Sequence, residues 1–410
     1  MHVLISGAGV AGPTLAWFLA KAGARVTVVE KSHALLPHGQ NVDIQGSARA
    51  VIEKMGLMKE VRRWSTKEKG TRFVDAKGRP FAAFPLVEGS SASFTSELEI
   101  LRGDLAAVLH AATKDHPNVE YRFGTTIESV VPNGEDFVGV VLDGGEVRRF
   151  DLLVAADGQW SKVRAQCFPP ASIDVIDKGM YAVYWTIPRL PGDDDWWNVY
   201  LALRSRIITI RPDPHGTIRA MFTCVPRTEA RKTAWREAAK GSRQTRAELL
   251  RREFSDAGWQ AQRLLDSIDA APDFYFQPIQ QIKMDRWSSG RVVCLGDAAY
   301  APSPLTGMGT SLAIDGAYVL AGELSKLAEG EHPARALDAF ESAFRPFVEE
   351  TQKVHFLLPG IAHPETTWSR ALLEGFMRIL ARVVAMPCWA NELDHGKAAD
   401  FPLPRYASFG

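Results

Sequence analysis

Hydrophobic and polar positions change their spacing twice within the first thirty residues. Residues 2–6 form a short, mainly apolar run, and residues 13–21 carry apolar side chains at helical spacing. Residues 24–30 are rich in β-branched side chains and end in an acidic one. Gly23 stands where a helix C-terminal cap belongs. The pattern predicts a βαβ unit at the start of the chain.

The middle of the chain has the pattern of short strands. Residues 73–84 and 119–150 flank a predicted helix at 102–113, and we interpret these strands as insertions in the first lobe. Residues 179–287 contain four strand-like runs and two polar helices, which predicts an antiparallel sheet with helices in a second lobe. A strand at 291–295, a glycine-rich turn and a long helix then follow, and they return the chain to the first lobe.

Composition narrows the class of protein. The 410 residues suffice for two or three structural units, and 46% hydrophobic with 23% charged residues is ordinary for a globular fold. Lysine plus arginine equals aspartate plus glutamate at 48 each, so no net field attracts nucleic acid or an anionic membrane. The four cysteines are far apart, and no metal-ligand or serine-nucleophile motif occurs. We therefore expect no metal site and no nucleic-acid partner.

The two ends of the chain show no predicted targeting or membrane-spanning segment. The first residues form an apolar strand without a signal-peptide pattern. The most apolar C-terminal stretch, residues 371–389, is interrupted at helical spacing by Glu374, Arg378 and Arg382. We expect an amphipathic helix on the body of a cytoplasmic protein, a monomer or weak homo-oligomer, with peripheral membrane contact of that helix as the alternative.

The turn between the first strand and the first helix matches the pattern G-x-G-x-x-G. Its candidate cofactor-binding residues are Gly7, Gly9, Val10, Ala11 and Gly12. Such glycines let the backbone approach a pyrophosphate at a helix N-terminus. Glu30 ends the second strand, where a carboxylate accepts hydrogen bonds from an adenosine ribose, and the adjacent Lys31 is included in the candidate site. The segment predicts FAD or NAD rather than NADP, although the glycines could serve a tight turn alone.

A second motif lies in residues 151–164, DLLVAADGQWSKVR. An apolar strand precedes Asp157 and Gly158, and Ser161 and Arg164 stand at the start of a predicted helix. The residues alone also allow a strand followed by an N-capped helix. The segment resembles the DG motif of the aromatic-hydroxylase group of flavoprotein monooxygenases, which is implicated in binding both FAD and NAD(P)H.

A third motif lies in residues 290–324, GRVVCLGDAAYAPSPLTGMGTSLAIDGAYVLAGEL, and resembles the GD motif of the same family. The resemblance implies that Asp297 accepts a hydrogen bond from a ribityl hydroxyl of FAD. Gly307 and Gly309, after Pro304, precede a helix, and their backbone N–H groups would face the flavin pyrimidine. An aspartate N-cap followed by a rigid proline loop is the alternative interpretation.

Two further positions match the cofactor site by resemblance. Arg102 opens a predicted helix where the family has an arginine that reaches the FAD phosphate and ribityl region, though it could also be a solvated helix-terminal arginine. Residues 40–46 resemble the segment along the flavin ring, which makes Asp43 a candidate flavin contact, with a purely structural loop as the alternative. Two departures from the family pattern are Tyr300, where many members have histidine, and Ser311, where many have asparagine.

Candidate substrate contacts lie on predicted strands of the second lobe. We select Tyr184 and Arg206, the arginine by resemblance to tetracycline-type monooxygenases, as residues that position the substrate. Trp185 and Tyr200 are predicted to line the same part of the substrate site and to exclude water from it. Aromatic residues on strands are more often part of a hydrophobic core, which is the competing interpretation.

The resemblance extends over residues 1–350 and implies a p-hydroxybenzoate-hydroxylase-like α/β fold with an α+β substrate lobe. It divides the chain into a discontinuous FAD-binding domain, residues 1–175 and 286–350, a substrate domain, 176–285, and a C-terminal helical segment, 351–410. No second complete G-x-G-x-x-G unit occurs, so NADPH or NADH would bind transiently as a co-substrate.

The predicted activity is that of an FAD-dependent monooxygenase. The resemblance implies that NAD(P)H and O2 hydroxylate a phenolic, aromatic or polycyclic small molecule through a flavin C4a-hydroperoxide. One alternative is a flavin-dependent halogenase, because residues 185–188 match the end of the W-x-W-x-I-P signature, although Val183 replaces its first tryptophan. A non-catalytic dinucleotide-binding protein is the other alternative.

Overall fold

A computed structural model describes residues 1–35, 39–87, 95–131, 134–353, 358–386 and 400–409. The strands are β1 His2–Ser6, β2 Arg25–Glu30, β3 Asn41–Asp43, β4 Gly70–Val74, β5 Pro80–Pro85, β6 Glu99–Leu101, β7 Val119–Phe123, β8 Ile127–Val130, β9 Val138–Leu142, β10 Val147–Phe150, β11 Leu152–Ala155, β12 Ile173–Pro188, β13 Trp197–Ala202, β14 Arg206–Pro212, β15 Thr217–Cys224, β16 Phe274–Met284, β17 Ser288–Ser289 and β18 Val292–Cys294. The helices are α1 Ala11–Lys21, α2 Ser47–Lys54, α3 Met58–Arg63, α4 Arg102–Ala111, α5 Lys162–Cys167, α6 Glu229–Lys240, α7 Arg243–Phe254, α8 Ala261–Ser267, α9 Asp297–Tyr300, α10 Gly309–Leu324, α11 Ala334–Thr351, α12 Leu358–Ala362 and α13 Thr367–Val384.

The first lobe is built on a six-stranded sheet with the order β17-β18-β11-β1-β2-β7. Its strands run parallel except for the short edge strand β17. β1 is central, and Val3, Leu4 and Ile5 are fully buried because helices cover the sheet. The predicted βαβ unit is present as β1, α1 and β2. Strands β8, β9 and β10 form a separate antiparallel sheet within this part of the chain.

The second lobe is built on a seven-stranded sheet with the order β16-β12-β15-β14-β13-β4-β5. Strands β12 to β16 form the antiparallel part that the sequence predicts. β4 and β5 join it because β4 pairs in parallel with β13, for instance Thr71 with Trp197. The interpretation of residues 73–84 as an insertion in the first lobe is therefore wrong, because both strands belong to the seven-stranded sheet. Local patterns could not show this, since β13, the partner of β4, lies more than a hundred residues later in the chain. The division of the chain into domains stays a prediction.

The two faces of the seven-stranded sheet have different coverings. One face packs against α6, α7 and α8 in a core that includes Trp185, Phe222 and Phe254. The opposite face carries a smaller apolar cluster around Phe73, Phe84 and Val199, which α13 covers. Polar residues lie elsewhere on this side of the sheet and are directed towards the first lobe. They include Tyr184, Arg211 and Arg219, which belong to the candidate site.

Helix α13 confirms the predicted amphipathic helix but starts four residues earlier than expected. Thr366 and Ser369 form a reciprocal capping box at its N-terminus. Leu373, Met377 and Leu380 pack on the sheet. Residues 387–389 of the predicted stretch lie outside the described residues. Among the described residues, no helix combines the length and the apolar character needed to cross a bilayer.

Candidate functional site

The three glycine-containing motifs meet at one edge of the six-stranded sheet. They follow β1, β11 and β18, which are adjacent parallel strands, and the carboxyl ends of parallel strands share an edge. A Cβ on Gly7 would overlap the carbonyl oxygen of Ala156, and a Cβ on Gly296 would lie 3.4 Å from that of Ala11. The first motif is thus in contact with both of the others.

The glycines of the first motif have two different roles. Gly7 has φ +110°, and a Cβ on Gly12 would overlap the carbonyl oxygen of Gly7, so both positions allow close packing of backbone. Gly9 is different, because only Nη2 of Arg102, 3.6 Å away, approaches the position of a Cβ there. The backbone of Gly9 is consequently open towards the cavity described below, as a pyrophosphate requires.

Glu30 is fixed at the end of β2 by two backbone donors. The N–H of Ala8 donates to its Oε2 at 3.0 Å, and the N–H of Ser32 donates to its Oε1 at 3.0 Å. These bonds hold the carboxylate beside the glycine turn, which is the place that ribose recognition requires. Lys31 follows Glu30 directly and is exposed.

The second motif is tied to the third by an arginine that the sequence singled out only as part of a pattern. Arg164 is 7% exposed, and its Nη1 donates to the carbonyl oxygen of Ala298 at 2.7 Å. Its Nη2 donates to the carbonyl oxygen of Gln159 at 2.8 Å. Ser161 caps α5 by accepting from the N–H of Arg164. Asp157 accepts from the N–H of Lys162 at 3.0 Å, and burial raises the pKa of its carboxyl.

The third motif supplies a buried acid and a strained loop. Burial raises the pKa of Asp297, and the nearby positive charge of Arg102 opposes this rise. Ser303 adopts φ +81° although it is not glycine, and Gly307 adopts a left-handed conformation, φ +66°, just before α10. The hydroxyl of Ser311 in α10 accepts from the N–H of Gln45, which ties this helix to the segment that follows Asp43 at the end of β3. Tyr300 is fully buried and packs against Trp287 and Phe344.

A cavity of about 490 Å³ lies between this edge and the seven-stranded sheet. The predicted site residues that line it are Gly9, Val10, Ala11, Asp43, Arg102, Gly158, Tyr184, Asp297, Pro304, Gly307 and Gly309. Five other predicted residues lie outside this lining, namely Gly7, Gly12, Glu30, Lys31 and Asp157, and their role in cofactor binding stays a prediction. Residues that the sequence reasoning missed are Glu99, Trp197, Arg211, Arg219 and Gln277.

The residues at the first-lobe edge of the cavity fit FAD. Open glycine backbone at Gly9 suits a pyrophosphate, the buried carboxylate of Asp297 suits a polyol hydroxyl, and the backbone turn at Gly307 suits an electron-rich ring edge. Arg102 adds positive charge beside Gly9. Each group is of the chemical type that one part of the cofactor requires.

The second-lobe wall of the cavity corrects part of the sequence interpretation. Tyr184 lines the cavity, and burial raises the pKa of its phenol. Trp185, the next residue of β12, points to the other face, where its Nε1 donates to the hydroxyl of Ser267 at 2.9 Å. Tyr200 belongs to the same helix-covered core. Trp185 and Tyr200 therefore do not line the cavity, and none of residues 185–188, the halogenase-like segment, is part of its lining.

Arg206 is also absent from the cavity lining. Its Nε donates to the carbonyl oxygen of Leu203 at 2.7 Å, and its Nη1 donates to the carbonyl oxygen of Glu253 and to Asp256. The side chain is 2% exposed and lies over the ring of Phe254. The structure thus gives Arg206 a role in joining the sheet to α7, and Arg211 is the arginine of β14 that lines the cavity.

Comparisons with known proteins decide the family. A family model described as an FAD binding domain matches residues 1–354. Monooxygenase CTB7 of Cercospora beticola is 36% identical over 391 residues, 93% of this chain and 92% of that protein. The chain belongs to the FAD-dependent monooxygenases. The FAD-dependent monooxygenase asL4 of Sarocladium schorii is 33% identical over 404 residues, 93% of this chain and 92% of that protein.

Solved structures extend the likeness to the fold. The crystal structure of tetracycline destructase Tet(55) has a TM-score of 0.78 at 27% identity and covers 98% of each chain. That of tetracycline destructase Tet(51) has a TM-score of 0.79 at 27% identity and covers 99% of this chain and 98% of the other. The predicted fold class and the predicted FAD cofactor are confirmed.

Proposed function

We propose that this FAD-dependent monooxygenase uses NAD(P)H and dioxygen to hydroxylate an aromatic or polycyclic small molecule held in the cavity between the lobes. One observation carries the proposal: a single cavity is lined by the FAD motifs on one side and by Tyr184, Trp197 and Met221 of the second lobe on the other. The family and the tetracycline destructase structures support this choice of substrate size and type.

The bound cofactor supplies the redox chemistry, namely hydride acceptance from NAD(P)H and activation of dioxygen. The chain supplies binding and positioning. Arg102 and the open backbone of Gly9 hold the phosphates, and Asp297 orients the ribityl chain. Tyr184, like any tyrosine at neutral pH, carries its phenol proton, and burial raises its pKa further, so we assign it the role of a hydrogen-bond donor to a substrate oxygen. The apolar surfaces of Tyr184, Trp197 and Met221 help to exclude water from the reacting centre.

The reductant is proposed to bind transiently. The described residues contain one glycine-rich turn of the dinucleotide type, that between β1 and α1, and we assign this turn to FAD. NADPH or NADH would then approach the cofactor from the cavity side and leave after reducing it. A choice between the two nucleotides would be made by comparing their rates with the same preparation.

The test is to follow NADH and NADPH oxidation by the FAD-loaded protein with a panel of phenols, quinolones and tetracyclines. Oxygenated product and hydrogen peroxide should both be measured. The proposal expects at least one aromatic compound to stimulate oxidation and to gain one oxygen atom. Stimulated oxidation that yields only hydrogen peroxide across the panel would count against hydroxylation. Tyr184→Phe is expected to raise the KM of the productive substrate, whereas Tyr200→Phe, in the helix-covered core on the other face of the same sheet, is the matched control and should leave the KM unchanged.

A further inference from the structure

Three carboxylates surround one guanidinium at the second-lobe wall of the cavity. Nε and Nη2 of Arg211 donate to the two carboxylate oxygens of Glu68, each at 2.8 Å. Nη2 also forms an ion pair with Glu99. Asp43 stands directly opposite Glu99 in the two-stranded sheet of β3 and β6. The guanidinium lies over the ring of Trp197, 4.0 Å from its centre.

This cluster is buried, and its charges do not leave a surplus of positive charge. The side chains of Glu68, Glu99 and Arg211 are 1%, 3% and 13% exposed. Burial raises the pKa of Glu68, Glu99 and Asp43, and the charge of Arg211 opposes the rise in each case. Three carboxyl groups thus face one guanidinium, and Glu68 and Glu99 already engage the Nε and Nη2 groups of Arg211.

The other cationic side chains of the cavity also have assigned partners. Among the described lining residues, the cationic side chains are Arg102, Arg211 and Arg219. Arg219 donates to Asp273 at 2.8 Å and to the carbonyl oxygen of Gly39. Arg102 lies beside Gly9, and the proposed function assigns it to the phosphates of FAD. An anionic substituent on the substrate would thus meet carboxylates without gaining an ion pair.

Neutral hydrogen-bonding groups, in contrast, are available on the same wall. Gln277 is 7% exposed, and its Oε1 has no hydrogen-bond partner among the described residues. The buried Nε1 of Trp197 likewise has no partner within the described part of the chain. Both residues line the cavity. Buried groups of this kind require a partner, and a ligand with hydroxyl and carbonyl groups supplies one acceptor and one donor.

We propose that Asp43, Glu68 and Glu99, by neutralising Arg211, make this cavity selective for neutral or cationic polyoxygenated aromatic substrates and against carboxylate-bearing ones. This inference rests on the proposed function, because it names the substrate class of the same cavity. Glu68 and Glu99 act here as positioning residues that hold Arg211. Gln277 and Trp197 contribute the hydrogen bonds that recognise uncharged oxygen substituents.

The test uses the FAD-loaded protein and three matched dihydroxyanthraquinones that carry a hydroxymethyl, an aminomethyl or a carboxylate substituent. Dissociation constants are measured from the perturbation of the flavin absorbance. The carboxylate probe is expected to bind about tenfold or more weakly than the hydroxymethyl probe, whereas the aminomethyl probe binds at least as tightly. A carboxylate probe that binds as tightly as the neutral one overturns the proposal, and so does a lack of binding by both other probes.

A variant links the selectivity to the cluster. Glu99→Gln removes one carboxylate. It is expected to lower the ratio between the dissociation constant of the carboxylate probe and that of the hydroxymethyl probe by about fivefold. Glu253→Gln is the matched control, because Glu253 is a buried partner of Arg231 on the helix-covered face. An equal change of the ratio in both variants contradicts the proposal. If only anionic aromatics are bound and hydroxylated, the substrate class is wrong while the proposed monooxygenase activity stands.

Discussion

Arg206 and Arg211 lie five residues apart on β14 and point to opposite faces of the seven-stranded sheet. An odd separation along a strand places two side chains on opposite faces. Arg206 accordingly donates hydrogen bonds to the carbonyl oxygens of Leu203 and Glu253 on the side of α7. Arg211 donates to the carboxylate of Glu68 on the side of the cavity. On β14, Arg206 therefore joins the sheet to α7, and Arg211 forms part of the cavity wall.

This separation predicts that loss of Arg206 affects stability and not substrate binding. Arg206→Met leaves two buried backbone carbonyl oxygens without their donor, which should lower the free energy of unfolding by about 2–3 kcal/mol. The KM for substrate should stay unchanged. Urea unfolding and steady-state kinetics measure the two quantities. Arg251→Met is the control, because its ion pair with Asp269 is exposed and should be worth less than about 1 kcal/mol.

Gly9 and Gly12 should respond differently to the same substitution. Gly12→Ala places a methyl group against the carbonyl oxygen of Gly7, so the apoprotein itself should be destabilised by about 2 kcal/mol or more. Gly9→Ala meets no protein atom closer than 3.6 Å and should leave the apoprotein melting temperature near that of the wild type. Its methyl group would occupy cofactor space and weaken FAD binding by about tenfold or more. Thermal unfolding of apoprotein and FAD titration distinguish the two effects, and similar apoprotein stabilities for both variants would refute the distinction.

Asp297 should contribute to FAD affinity through its charge. Asp297→Asn keeps the shape but weakens the hydrogen bond that a ribityl hydroxyl donates, since bonds to ionised acceptors are worth about 1.5–3 kcal/mol. FAD affinity, measured by quenching of flavin fluorescence, should fall about tenfold or more. Asp266→Asn, at an exposed position of α8, should bind FAD as the wild type does. Unchanged affinity in Asp297→Asn would remove this residue from the cofactor site.

The cofactor half of the site could be predicted from the sequence because its signals are local. Gly9, Asp157 and Asp297 each stand in a short strand, turn and helix whose residue types are set by backbone conformation and by one ligand group. The substrate half depends on strand register and on distant pairing. Tyr184 and Trp185 are adjacent in sequence, and only the register of β12 with β15 and β16 shows which of them faces the cavity.

The carboxylate cluster could not have been found from local patterns. Glu68 and Glu99 come from segments that carry no family motif, and their side chains meet Arg211 only after β4 pairs with β13 and β3 pairs with β6. A charged residue in a sequence is ordinarily taken as solvated, so nothing in these segments indicates burial. Once the register is known, one signal is available: Arg211 shares a sheet face with Thr209, two residues earlier on β14, and the pairing of Asn198 with Ile210 places Trp197 opposite Arg211.

Asp315 gives the protein a pH dependence of stability whose sign can be stated. It lies in α10 with no exposure, and burial, followed by the charge of Asp400, raises its pKa to about 7, against a hydrogen bond from Ser47 that lowers it. Its Oδ1 has no hydrogen-bond partner among the described residues. Because the folded-state pKa lies above the ordinary value of 3.8, the folded protein binds the proton more tightly than the unfolded chain does. Stability from this group is full below about pH 4 and is lost as the pH rises to about 7.

Asp315→Asn should remove that loss, because an amide stays neutral at every pH. Wild type and variant should have similar free energies of unfolding near pH 4, and the variant should be more stable at pH 8 by on the order of 2–4 kcal/mol. Glu68 and Glu99 also have raised pKa values and contribute a slope of the same sign, so the difference between the two proteins, not the slope of either, isolates Asp315. Urea unfolding between pH 4 and pH 8 with saturating FAD measures it, with exposed Asp338→Asn as the control. Parallel curves for wild type and Asp315→Asn would show that this carboxyl is ionised in the folded protein throughout the range.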